Sequence, residues 1–296
     1  MTLLNPQLAA FAAVLGEGSF EGAARRLSVT PSAISQRIKA LEDRLGQVLV
    51  VRQLPCRPTP AGERLLRRVR PMQTLEAEAL ADFVPATDAS ARAVPIAINA
   101  DSLQTWFLDG LALLHRRYGY VFDVRVDDQD HTQKMLRDGT VLGAVTGQAK
   151  PIQGCNVDAL GAMRYFAIAS PEFAKTHFRN GMHAGALATA PLIVFDRKDD
   201  LQWRFIRRIT RARVSPPVHY LPTATGFVKV AALGLGWCLT PETLIGSAVE
   251  DGRVVVLKAG RWLDVPLYWQ YAAVRSETLE NVGHALYEAA ASALRR

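Results

Sequence analysis

Side chains that carry hydrogen-bond donors recur at helical spacing within one short stretch. Ser32, Ser35, Gln36 and Lys39 share a stripe, and Arg37 flanks it. A second stripe of the same segment is apolar and consists of Ile34, Ile38, Leu41 and Leu45. Such a helix can bury one side and offer hydrogen bonds from the other. A glutamine amide can bond adenine bidentately, and Arg or Lys can bond guanine. The stretch is therefore a candidate reader of base edges in duplex DNA, with a solvated polar face as the alternative.

The surrounding residues predict two more short helices. Asn5 and Pro6 are the N-cap and first residue of a helix that Gly16 and Gly18 end, and Ser19 caps a second helix, 20–27. After the turn 28–30, Thr30 and Pro31 begin the third helix, which runs to about Leu45. Two short helices joined by a tight turn, with a polar face on the second, predict a helix-turn-helix.

A strand and a turn follow the third helix. Val48 to Arg52 has the composition of a strand, and the turn at 54–56 leads to Arg57, which predicts a wing. Arg52 and Arg57 would contact phosphates or a minor groove. Thr59 then caps a long helix from Pro60, with apolar residues at steps of three and four: Leu65, Val69, Met72, Leu75, Ala79 and Phe83. This face predicts a coiled-coil dimerisation helix; the alternative is a linker helix packed on its own domain.

Charge separates this N-terminal module from the rest of the chain. The net charge of the 296 residues is +7, and residues 1–70 hold eleven basic and five acidic side chains. The other 226 residues are nearly neutral, with 24 basic and 23 acidic side chains. A basic head on a neutral body is typical of a polyanion-binding module attached to a domain with another task.

No enzyme, metal or cofactor site emerges from the sequence. Gly234-Leu235-Gly236 precedes a strand rather than following one, and the six histidines lack metal-ligand spacing. The three cysteines lie far apart, which favours a reducing cytoplasm over a disulfide framework. The apolar runs are shorter than the roughly 18 residues of a membrane span, so no membrane partner is expected.

Beyond residue 92, strand and helix patterns alternate. Strands are expected at 94–99, 121–127, 141–146, 165–170, 192–195, 218–221, 237–240 and 267–274, and helices at 105–118, 132–138, near 171–176, and at 201–210, 223–233 and 277–294. They predict parallel sheet with crossover helices, in two α/β lobes that resemble a periplasmic-binding-protein fold. Ligands of such sheets bind beyond the carboxyl ends of the strands. The candidate effector-binding residues at these ends are Asp101, Ser102, Asp128, Asp130, Thr146, Gln148, Asp196, Arg197, Thr223 and Thr225. Each of them could instead be only a helix or turn cap.

The N-terminal residues resemble the signature of the LysR-type transcriptional regulators. The similarity lies in Ser19-Phe20, Ala23-Ala24, Leu27, residues 30–35, Ile38, Leu41-Glu42, Leu45-Gly46 and residues 57–62. Residues 36–42, 48–52, 137–139, 143–146 and 195–199 are most similar to the arginine- and lysine-responsive branch, which includes a chromosome initiation inhibitor and a lysine-export regulator. The resemblance implies homodimers that pair into tetramers, contact with RNA polymerase, and frequent control of a neighbouring transporter gene.

The expected protein is α+β overall. Residues 1–58 form a winged helix-turn-helix, 59–91 a linker and dimerisation helix with a hinge, and 92–296 the effector-binding domain, with lobe one at about 92–164 and 268–296 and lobe two at about 165–267. The aspartates suit an ammonium or guanidinium group, so lysine or arginine is the expected effector. The alternatives are an effector-insensitive DNA binder that blocks replication initiation, a regulator with another small effector, and an enzyme or solute-binding protein with an incidental basic head.

Overall fold

A computed structural model of the chain describes residues 5–80, 83, 93–126, 129–223 and 226–296. It divides into two compact units. The first unit is Met1–Asn99, Gly110–Asp158 and Tyr268–Leu286, and the second unit is Ala100–Asp109, Ala159–Leu267 and Tyr287–Arg296. Among the described residues, no helix combines the length and the apolar character that crossing a bilayer requires.

The head of the first unit contains the predicted helices. Its elements are α1 (Pro6–Glu17), α2 (Phe20–Arg26), α3 (Pro31–Leu45), β1 (Val50–Val51), β2 (Arg57–Pro58) and α4 (Pro60–Leu80). The predicted caps are in place: Asn5 accepts from the Gln7 amide, Ser19 from Gly22 and Thr30 from Ala33. The helices pack around a core that includes Phe11, Ile34, Ile38 and Leu66. Leu45, which the pattern placed on the inner stripe of α3, is 47% exposed.

The wing is shorter than predicted, because only β1 and β2 pair, antiparallel, with Val50 opposite Pro58 and Val51 opposite Arg57. Helix α4 runs without interruption past Pro71. Its first turns bury Leu66 and Val69 in the core of the head, while Met72 and Leu75 are 44% and 38% exposed. The packing of the first half fits the linker-helix alternative, and the dimerisation interpretation of the second half stays a prediction. The predicted hinge that ends at residue 91 lies, apart from Phe83, outside the described residues.

The rest of the first unit is an α/β layer. Its elements are β3 (Ala93–Ile98), α6 (Leu108–Tyr118), β4 (Val121–Val126), α7 (Gln129–Arg137), β5 (Gly143–Thr146), and parts of β6 (Cys155–Ala169), β11 (Leu263–Ala272) and α13 (Glu277–Ala293). Strand β3 pairs in parallel with β4 and β5, as alternating patterns predict, and β11 pairs antiparallel with β5. A small core of Ala97, Leu136, Val141 and Ala144 lies under α7.

One strand that enters the second unit is much longer than predicted. The predicted strand 165–170 is the end of β6, whose fifteen residues run from the first unit into the second. Strand β11 also passes between the units. The further elements are α5 (Ala100–Ser102), a π-helical stretch (Leu103–Phe107), α8 (Pro171–His177), α9 (Ala184–Thr189), β7 (Leu192–Val194), α10 (Leu201–Ile209), β8 (Val218–Tyr220), α11 (Phe227–Ala232), β9 (Cys238–Pro241), α12 (Glu242–Glu250) and β10 (Val255–Val256).

Pairing within the second unit is mixed. β6 pairs antiparallel with β9 and β10, and β7 pairs in parallel with β8. Ile168, Ile193, Phe227, Cys238 and Ile245 belong to the core beneath these strands. Helices α9 and α12 and strand β10 were not predicted, and the helix expected from Thr105 begins at Ala100. The mixed helix and sheet architecture confirms the predicted fold class.

Candidate nucleic-acid interface and effector site

The polar side of α3 faces solvent. Ser32, Gln36 and Lys39 are exposed, and Ser35 and Arg37 are partly exposed. On the opposite side, Ile34, Ile38 and Leu41 are buried. The donors are therefore free to enter a groove without any rearrangement of the head, which is the geometry that a recognition helix requires.

Glu42 links this helix to the wing and was not singled out from the sequence. One of its carboxylate oxygens accepts hydrogen bonds from the Leu49 amide at 2.8 Å and the Val50 amide at 3.3 Å. The other lies 3.8 Å from the Arg52 guanidinium. Glu42 thus positions the start of β1 against the recognition helix.

The two predicted wing cations are in different environments. Arg57 is exposed in β2. Arg52 is about half exposed and forms an ion pair with Glu42. Its guanidinium lies over the Phe20 ring, 5.2 Å from the centroid. The contact with Phe20, the first residue of α2, restricts the conformations that the Arg52 side chain adopts.

A close approach of backbone holds the wing on α4. The Thr59 hydroxyl donates to the Val48 carbonyl at 2.7 Å and accepts from the Gly62 amide at 3.1 Å. A Cβ atom at Gly62 would overlap the Leu49 carbonyl oxygen. Only glycine fits at this position without moving the wing.

In the second unit, two carboxylates interact. The Tyr165 hydroxyl donates to Asp101 at 2.7 Å. Burial raises the pKa of Asp101, the Tyr165 hydrogen bond lowers it, and the negative charge of Asp199 raises it further. Burial is also the largest cause of the raised pKa of Asp199. We refer to Asp101 and Asp199 as the carboxylate pair; both side chains remain partly accessible.

Asp199 was not among the predicted site residues, although it ends the segment 195–199. Its carboxylate accepts from the Leu201 amide at 3.0 Å and the Phe195 amide at 3.3 Å. Within the described part of the chain, no Arg or Lys forms an ion pair with Asp101 or Asp199. The negative charges of Asp101 and Asp199 are thus stabilised by backbone amides and the Tyr165 hydroxyl among these contacts, and binding of a cation beside them would be favourable.

The other predicted residues of the second unit have separate local environments. The Asp196 carboxylate caps its own turn by accepting from the Lys198 and Asp199 amides. The Arg197 guanidinium lies 4.7 Å from the Tyr220 ring centroid. The Thr223 hydroxyl accepts from the Gly226 amide at 3.0 Å. Ser102 is fully buried, and its hydroxyl has no hydrogen-bond partner among the described residues.

Predicted residues of the first unit have a structural hydrogen-bond network of their own. The Gln270 amide donates to the Thr146 hydroxyl at 3.3 Å and to the carbonyls of Gln148 and Lys150 at 2.9 and 3.1 Å. The Thr146 hydroxyl also accepts from the Gln148 amide. Asp128 and Thr225 lie outside the described residues, and Asp130 is placed in α7 without a described side chain.

The cysteines are poor nucleophiles. Burial raises the pKa of Cys238 to about 12, and burial also raises the pKa of Cys56 and of Cys155. At neutral pH the thiolate forms are therefore scarce. The described residues contain no group of three His, Cys, Asp or Glu side chains suited to hold a metal ion.

A winged helix-turn-helix joined to an α/β domain with polar strand ends defines a ligand-responsive DNA-binding regulator. Residues 6–63 match the bacterial regulatory helix-turn-helix protein, lysR family, and residues 87–294 match the LysR substrate binding domain. The chain belongs to the LysR family of transcriptional regulators.

Similar proteins place it near one branch of that family. The chain is 45% identical to the HTH-type transcriptional regulator LysG of Mycobacterium tuberculosis, over 99% of this chain and 95% of that protein. The crystal structure of ArgP from M. tuberculosis matches with TM-score 0.86 and 44% identity, over 99% of both chains. Full-length LysG of Corynebacterium glutamicum with bound effector Arg matches with TM-score 0.75 and 40% identity, over 99% of this chain and 100% of that one. These matches confirm the predicted branch, and relatives named as regulators favour a regulator over an enzyme.

Proposed function

We propose that this chain is a DNA-binding transcriptional regulator whose effector is a basic amino acid, arginine or lysine. The observation that carries the proposal is the carboxylate pair without a cationic partner among the described residues. Burial raises the pKa of both carboxyl groups, and the charge of Asp199 raises that of Asp101 further, so a guanidinium or ammonium group would offset the cost of ionising them. The arginine-bound LysG relative supports the same class of ligand.

The roles of the individual residues follow from their positions. Asp199 and Asp101 receive the cationic end of the effector, and the buried Ser102 hydroxyl supplies a further polar contact. Arg197, stacked on Tyr220, is placed to hold a carboxylate. Asp128, Asp130, Asp196, Thr146, Gln148, Thr223 and Thr225 complete the proposed set. The effector acts by favouring one of two arrangements of the protein.

DNA recognition belongs to the head. Ser32, Ser35, Gln36, Arg37 and Lys39 read base edges, while Arg52 and Arg57 contact phosphates. The exposed Met72 and Leu75 of α4 support pairing of two chains through that helix. A homotetramer, contact with RNA polymerase and a cytoplasmic location belong to the same proposal and rest on family resemblance.

Calorimetric titration of the full chain with arginine, lysine, citrulline and norleucine tests the effector class. We expect heat of binding from arginine or lysine only, because citrulline and norleucine keep the amino-acid group but lack the side-chain cation. Binding of citrulline as tight as that of arginine would contradict the proposal. DNA affinity that no amino acid changes would favour the effector-insensitive alternative.

A further inference from the structure

A run of exposed arginines lies far from the head in the sequence. Helix α10 buries Gln202, Phe205 and Ile206 and leaves Arg207 and Arg208 exposed. Arg211 and Arg213, just beyond its end, are exposed as well. Four exposed arginines thus fall within a stretch of seven residues. The net charge of residues 71–296 is nearly zero and therefore does not reveal this local cluster.

These charges are weakly compensated. The nearest carboxylate to Arg207 is that of Asp200, at 4.0 Å, and both side chains are about two-thirds exposed. Asp264 is already bound by the Arg164 guanidinium through two hydrogen bonds of 2.8 and 3.0 Å. Arg211 and Arg213 form no hydrogen bond or ion pair with any residue that the structure describes.

A second segment adds to the same surface. The Arg208 guanidinium donates to the Trp262 carbonyl at 3.1 Å, and the Trp262 ring is covered by the Arg164 guanidinium at 4.3 Å from its centroid. The residue before Trp262 is the exposed Arg261. We call Arg207, Arg208, Arg211, Arg213 and Arg261 the arginine surface. The hydrogen bond from Arg208 to Trp262 joins the two segments of this surface. Arg211 and Arg213 have no partner among the described residues and are free to bind.

We propose that the arginine surface is a second, sequence-independent contact site for the phosphates of duplex DNA, used by DNA that extends beyond the sequence read by α3. Arginine presents a planar fork of donors that matches phosphate oxygens. Interfaces with DNA are strongly positive, which matches a cluster of five exposed arginines. Contacts that are weak on their own add measurably to affinity when the head holds the same DNA molecule within reach of them.

The test compares duplexes of two lengths. A specific duplex is selected from random sequence with the full chain, trimmed to the minimal length that is still bound, and then extended by about 20 base pairs on each side. Affinity is measured against salt concentration for the wild type and for the Arg211→Ala, Arg213→Ala double variant. We expect the salt slope on the long duplex to fall by about 2 for each bound chain in the variant, because two phosphate contacts per chain no longer release counterions. On the minimal duplex the slope should not change.

Two controls separate this effect from loss of net charge and from misfolding. The Arg116→Ala, Lys175→Ala double variant removes the same charge from exposed positions of α6 and α8 and should keep the wild-type slope on both duplexes. Arg211→Lys with Arg213→Lys should retain most of the slope on the long duplex. All variants should melt like the wild type, because the substituted side chains are exposed.

Three results would overturn the proposal. The first is a wild-type slope for the arginine variant on the long duplex. The second is an equal fall on both duplexes. The third is a changed oligomeric mass in sedimentation with an unchanged slope, which would assign the surface to an acidic face of a second copy. The inference depends on DNA binding by the head and not on the effector, so a chain that ignores arginine and lysine could still pass this test.

Discussion

The recognition face of α3 and the carboxylate pair of the second unit place polar groups under opposite conditions. The donors of α3 are exposed or partly exposed and need no partner within the protein, so residue type and helical spacing are enough to predict a role for them. The carboxylate pair is partly buried and its charge is costly, so its role depends on what lies beside it. A surface site can therefore be predicted from a pattern of residue types. An enclosed site is recognised only when the structure shows buried charges that lack an oppositely charged partner.

The largest effect tests how rigidly the head holds its recognition surface. Gly62→Ala should destabilise the head by about 3 kcal/mol, because the added methyl group overlaps the Leu49 carbonyl. Thermal unfolding and DNA affinity measure it. Gly246→Ala is the matched control: nothing lies within 4 Å of its Cβ position in α12, so it should stabilise slightly. A Gly62 variant as stable as the wild type would refute the close packing of the wing.

The next prediction concerns the other side of the comparison. Asp199→Asn should weaken binding of arginine or lysine about 10- to 100-fold, since a charged hydrogen bond contributes about 1.5–3 kcal/mol. Calorimetry of the full chain measures it. Asp200→Asn, at the exposed neighbouring position, should leave affinity unchanged. Equal losses in both variants would mean that general charge, rather than the carboxylate pair, attracts the ligand.

Gln36→Ala examines base reading by α3. Discrimination between the selected duplex and single-base variants should fall by about 1–3 kcal/mol at the base pair that Gln36 contacts. Competition binding across a set of point-substituted duplexes detects this. Gln47→Ala removes an amide beyond the end of the helix and serves as the control. If discrimination persists at every position, Gln36 does not read a base.

A smaller effect is expected at the wing. Arg52→Ala should weaken binding to all sequences alike and reduce the salt slope by about 0.9, the value of one phosphate contact. Arg253→Ala removes an arginine that is also paired with a carboxylate, here Asp251 in the second unit, and should leave the slope intact. An unchanged slope for Arg52→Ala would mean that this side chain serves Glu42 and Phe20 and not DNA.

The smallest expected effect is the number of protons released from Asp101 and Asp199 when the effector binds. The pKa of Asp101 and of Asp199 is raised in the free chain, and a bound cation favours the charged forms, so effector binding should release protons and tighten as pH rises through the carboxylate range. Calorimetry in buffers of different ionisation enthalpy should detect more release at about pH 5 than at about pH 8. No release at either pH would remove the carboxylates from contact with the cation.

Local signals explain which elements could be predicted. Asn5, Ser19 and Thr30 lie directly before helices and accept hydrogen bonds from amides that those helices leave free, so their types mark the starts. Strand β6 was predicted at a third of its length, because most of its residues are partly buried or exposed and lack a continuous apolar run. The exposure of Leu45 could not be predicted either, since the stripe shows periodicity but not where the neighbouring helices end.

The amino-acid sequence by itself determined the helix-turn-helix, its donor-bearing face and the alternating α/β pattern, because caps, periodicity and exposed charge act over a few residues. Tertiary structure alone decided that the charge of Asp199 acts on Asp101, that Glu42 ties the wing to α3, and that Arg208 reaches Trp262. Each of these relations joins residues that the fold brings together. Their consequences depend on burial and on distance, and neither quantity is written in residue types.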